Sequence, residues 1–70
     1  MTANSYKILQ YLQKHNKATA VEVAQATDIQ KRLVDSYFSA AIVKAGLGNR
    51  ETIGDSICLV LNSKGMAYTE

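Results

Sequence analysis

The chain has no proline, a single cysteine and no long hydrophobic run. Each absence removes a class of protein. Cys58 alone can close no internal disulfide and cannot build a metal site by itself. The fold must therefore be held by burial, and the simplest compartment for it is a reducing cytoplasm. A membrane helix needs about 20 consecutive apolar residues, and no stretch approaches that. The opening Met1–Ser5 carries no signal-peptide pattern. No repeat or low-complexity segment interrupts the chain, so residues 1–70 are expected to form one domain. A catalytic set is also missing: serines, a histidine and acids are present, but no spacing sets a nucleophile beside a base. Gly46 and Gly48 lack the Lys-Ser/Thr of a phosphate loop. The expectation is a protein that is not an enzyme, uses no cofactor or metal and shows no evident small-molecule ligand.

Eight basic and six acidic residues give a net charge of +2, a weak signal for nucleic acid. Its distribution says more. Residues 1–18 hold Lys7, Lys14 and Lys17 with no acid, whereas Lys31, Arg32 and Lys44 are balanced by Glu22, Asp28 and Asp35. The last third is slightly acidic, with Arg50 and Lys64 against Glu51, Asp55 and Glu70. The 47% hydrophobic content is high for this size, because a chain this short buries only about 60% of its unfolded surface. Either the core is dense or a second copy covers apolar surface.

The stretch from Ala18 to Phe38 organises the rest. Thr19 and Glu22 have the T-x-x-E spacing of a capping box, in which each side chain satisfies a free backbone N–H of the other. The spacing predicts a short helix from Ala20 to about Ala26, with Val23 and Ala24 facing inward. Thr27-Asp28 then breaks the pattern, since both side chains compete for backbone hydrogen bonds. Ile29 follows as an apolar plug, and a longer helix runs from Gln30 to about Ala45. At about 100° per residue, Val34, Tyr37, Phe38, Ala41, Ile42 and Ala45 share its inner side. Arg32, Asp35, Ser36 and Ser39 share the outer one.

Upstream, Ile8, Leu9 and Leu12 form the apolar stripe of a helix from Tyr6 to about His15, with Ser5 as its cap and Asn16 as its left-handed stop. Downstream, Gly46 ends the long helix and Leu47 folds back on the core. Asn49–Ile53 and Ser56–Leu61 flank Gly54-Asp55 as a β-hairpin with a primed turn. Alternation puts Ile57, Leu59 and Leu61 toward the helices. Lys17–Thr19 is a short link. Ser63–Glu70 is a polar tail that can start a short helix capped at Asn62 or Ser63.

A helix capped at Ala18-Thr19, the Val23-Ala24 pair, a polar turn, Ile29 and a longer helix together resemble a bacterial helix-turn-helix. Leu61-Asn62-Ser63-Lys64-Gly65 resembles the segment that follows the hairpin in winged helix-turn-helix DNA-binding domains of small bacterial, archaeal or mobile-element regulators. The resemblance spans about Tyr6 to Gly65. It implies a mainly α fold of three helices with a β-hairpin, and sequence-specific binding of double-stranded DNA by a transcriptional regulator.

The third helix then lies in the major groove, where residues near its N-terminus reach base edges. Arg32 suits guanine O6 and N7, and Gln30 suits adenine. Ser36 and Ser39 face outward with them, Lys31 and Asp35 stand at the margins, where Asp35 suits cytosine N4, and Thr19 with the free N–H groups of the second helix suits a phosphate. By resemblance the hairpin contacts the adjacent backbone through Arg50, with Lys64 as a further phosphate contact. The bland alternative is that Arg32 and Asp35 form an exposed ion pair. Val21, Val43, Ile53 and Val60 fall on or near the surface; joined in one patch they would favour a homodimer or another protein partner. An interaction module that binds no DNA is thus the alternative function.

Overall fold

A computed structural model describes all 70 residues, with four helices packed against a three-stranded antiparallel sheet. Helix α1 runs from Ala3 to His15. Its cap is Thr2, not Ser5: Thr2 Oγ1 accepts from the Ser5 N–H at 3.2 Å and donates to Ser5 Oγ at 2.8 Å. Ser5 lies inside the first turn and is buried. Both residues offer the same kind of cap oxygen. Capping at Thr2 adds a turn to the helix and satisfies the Ser5 hydroxyl that this burial would otherwise strand. Ile8, Leu9 and Leu12 are fully buried, as their spacing predicts. The helix stops at Asn16, whose φ is +66°.

The link Lys17–Thr19 is a strand, β1. It pairs antiparallel with a strand some 40 residues later, with Ala18 opposite Leu59 and Thr19 opposite Cys58. Helix α2, Ala20–Thr27, begins at once after it. Its capping box is complete, with Thr19 Oγ1 accepting from the Glu22 N–H at 3.2 Å and Glu22 Oε1 accepting from the Thr19 N–H at 3.1 Å. Asp28 closes α2 in the left-handed conformation at φ +59°.

The third helix departs from the single element predicted over 30–45. Regular α-helix α3 covers Lys31–Tyr37, and Phe38–Val43 is wound as a π-helix. The Lys44 N–H reaches Ser39 O at 3.3 Å and the Leu47 N–H reaches Ile42 O at 2.9 Å, both five residues back. Phe38 and Ile42 stay in the core, and the helix ends at Val43, so that Ala45 lies in the turn that follows. Ala45, expected inside, is therefore exposed, while Tyr37 and Ala41 are half-buried.

Strands β2, Gly48–Ile53, and β3, Ser56–Leu61, form the predicted hairpin about Gly54-Asp55, with Gly54 at φ +60°. The sheet order is β1-β3-β2. Leu59 and Leu61 are buried, but Ile57 is 53% exposed. Alternation assigned it to the correct face; at the hairpin tip that face extends past its helical cover. Helix α4, Ser63–Ala67, is capped by Asn62 Oδ1, which accepts from the Gly65 N–H at 2.9 Å. Gly65 is required here, because a Cβ would overlap the carbonyl oxygen of Leu47. Gln13 Nε2 fastens this end to α1, donating to Gly65 O and Tyr68 O, each at 2.9 Å.

All these elements meet in one core of 13 buried apolar residues, centred on Phe38, Ile8, Leu9, Leu12, Ile42 and Leu59. Each large side chain so buried contributes about 1.5–3 kcal/mol. No helix is long and apolar enough to cross a membrane.

Candidate nucleic-acid interface

Helix α2 is too short to be stable alone. Its capping box and the burial of Ala20 and Val23 fix it against the core. The turn at Asp28 then delivers α3, and buried Ile29 and Val34 hold its inner side. Gln30 starts α3 with its carbonyl, which accepts from the Leu33 and Val34 N–H groups at 2.9 Å each. Its side chain does not cap the helix; Gln30 Oε1 accepts from Arg32 Nε at 3.3 Å. Gln30, Arg32 and Ser36 are exposed along the outer edge, Lys31 is exposed on the side of Asp35 and the hairpin tip, and neither Lys31 nor Arg32 forms an ion pair.

The opposite edge of α3 is occupied. Arg50 lies directly across from Leu59 in the hairpin register. Opposed residues of an antiparallel pair share a face, so Arg50 points toward the helices. Its Nη2 donates to Asp35 O at 3.2 Å and to Ser39 Oγ, and its Nε lies 3.8 Å from Asp35 Oδ1. Asp35 therefore pairs with Arg50 and not with Arg32. Ser39 is half-buried beneath that contact, apart from the exposed edge. Nη1 of Arg50 has no partner, and the side chain remains 42% exposed.

The other two expected contacts lie elsewhere. Thr19 Oγ1 is engaged with Glu22, whose carboxylate sits where an anion would approach the start of α2. Lys64 is on α4, beyond Gly46, at the far end of the third helix from Arg32; Asn62 Nδ2 donates to Gly46 O at 2.8 Å. The eight residues thus divide into an exposed set, Gln30, Lys31, Arg32 and Ser36; a braced pair, Ser39 and Arg50; and two separate positions.

A cleft runs between the start of α2, the start of α3 and the hairpin tip. It is lined by Val21, Lys31, Asp35, Asp55 and Ile57. Val21 and Ile57 are both exposed. Of the other candidates for an apolar patch, Ile53 is exposed at the tip, whereas Val43 and Val60 are half-buried. Leu33 was not foreseen; it is 38% exposed on the other side of α3, in the groove that holds Asn4, Lys7 and Arg32. Its position 100° beyond Arg32 was the available signal. Compared with known protein families and with curated proteins, the chain matches none.

Proposed function

We propose that the protein is a winged helix-turn-helix DNA-binding protein that regulates transcription, with α3 in the major groove and the β2–β3 hairpin as its wing. The observation that carries this is the outer edge of α3. Gln30, Lys31, Arg32 and Ser36 project from a helix propped by α2, and its two cations are unpaired. Arg32 offers a bidentate donor for guanine, and Gln30 offers the donor–acceptor pair that adenine requires. The free Nη1 of Arg50 is the wing's donor for a phosphate. Two copies on adjacent half-sites, about 34 Å apart, would multiply a modest affinity. Titration of a labelled random duplex at low salt, followed by anisotropy, tests the reading: binding should be measurable and should fall for Arg32→Ala. Absence of binding by the folded protein overturns it.

The second reading is a protein-interaction module. The cleft favours it, because Asp35 and Asp55 lie beside exposed Val21 and Ile57 on the side where a wing would meet DNA. Val21→Ser/Ile57→Ser separates the two: loss of self-association or partner binding with DNA affinity unchanged assigns the cleft to protein contact.

A further inference from the structure

Lys7 and Lys14 lie seven residues apart on α1. That is about two turns, so they share a face about 10 Å apart along the axis. Both are exposed and neither is ion-paired. They line a groove of about 590 Å³ between α1 and the end of α2, together with Gln10, Tyr11, His15 and Thr27. Tyr11 and His15 are stacked with ring centroids 4.2 Å apart, which gives the far end of the groove a fixed wall. No carboxylate lines it. At Lys7 and Thr27 it runs into a second groove that leads past Asn4 and Asp28 to Arg32. The line from Lys14 through Lys7 to Arg32 therefore carries three unpaired cations and one acid, Asp28.

This is not the charge pattern of an ordinary solvated helix. The neighbours that would neutralise Lys7 and Lys14 at three or four residues' distance include Asn4 and Gln10, amides that donate to phosphate oxygens. The wing, by contrast, exposes Glu51 and Asp55, and its arginine is tied to α3. We propose that the α1 groove is a phosphate-backbone track for double-stranded DNA, continuous with the outer edge of α3, and that it supplies more of the electrostatic affinity than the wing does. This rests on the DNA-binding reading. Lys7 and Lys14 fix the duplex without reading sequence, while Gln30 and Arg32 read bases.

The test is the salt dependence of anisotropy titrations with a fluorescein-labelled random duplex over a series of KCl concentrations. Each phosphate neutralised contributes about 0.9 to the slope of log K against log salt. Lys7→Gln/Lys14→Gln should lower that slope by about 1.8, and Lys7→Arg/Lys14→Arg should retain it, with circular dichroism confirming that both variants fold. An unchanged slope in the glutamine variant overturns the track, even where Lys31→Gln/Arg32→Gln abolishes binding. The converse result, with Lys7 and Lys14 required and Lys31 and Arg32 dispensable, supports the track and overturns the placement of α3. No binding by the unaltered protein at the lowest salt overturns both.

Discussion

Arg32 belongs to α3 and Arg50 reaches the same helix from β2, yet the fold uses them differently. Arg32 projects from the outer edge, and its one protein partner is the amide of Gln30 two residues away. Arg50 crosses from the β2–β3 hairpin to the opposite edge, where Asp35 and Ser39 hold it. A basic residue on an expected contact surface is therefore no indication of a contact until its partners are known. The arginine without a carboxylate is the one free to meet a polyanion, and the paired one fastens strand to helix.

The comparison can be broken at several points. The largest effect is expected at the base of the β2–β3 hairpin. If burial anchors the hairpin and Arg50 only trims its position, Leu59→Ala should cost about 2–5 kcal/mol in urea unfolding. A cost no greater than that of Arg50→Ala would reverse their roles. Next, Arg32→Ala should weaken DNA binding by about 1–3 kcal/mol if it reads a base, with the unfolding midpoint unchanged. A loss of stability in place of affinity would make Arg32 structural as well. Thr19→Ala removes the cap of α2, the helix that props α3, and should lower stability by about 1 kcal/mol; a wild-type melting curve would deny the capping box that part. The smallest effect belongs to Arg50→Ala. An exposed pair of this kind contributes less than about 1 kcal/mol, and DNA affinity should fall less than for Arg32→Ala.

Features set by neighbouring residues were legible in the sequence. The Thr19–Glu22 box, the positive-φ stop at Asn16, the two-residue turn at Gly54-Asp55 and the stripe Ile8, Leu9 and Leu12 all depend on spacings of a few residues, and all stand in the structure. The features that escaped depend on distant partners. Strand β1 is three residues long and exists through pairing with β3, so no local period marks it. Alternation fixed the face of Ile57 but not where the helices beneath the hairpin end. The π-helical winding of Phe38–Val43 has no compositional signature, since Phe, Ser, Ala, Ile and Val all occur in ordinary helices. For the candidate site, helical spacing marks Gln30, Arg32 and Ser36 as exposed, but it also sets Asp35 and Ser39 on that face, where Arg50 in fact engages them. The tether on Arg50 required the register that sets it across from Leu59.

The π-helical stretch also bears on how this chain would line up with a relative. A π-turn accommodates a residue beyond what the same rise needs in α-helical winding, and here it does so with Phe38 and Ile42 both fully buried. A homologue one residue shorter between positions 38 and 43 would keep both ends of the helix in place. The length difference would then fall inside a helix and not in a loop, with the core contacts on either side unchanged.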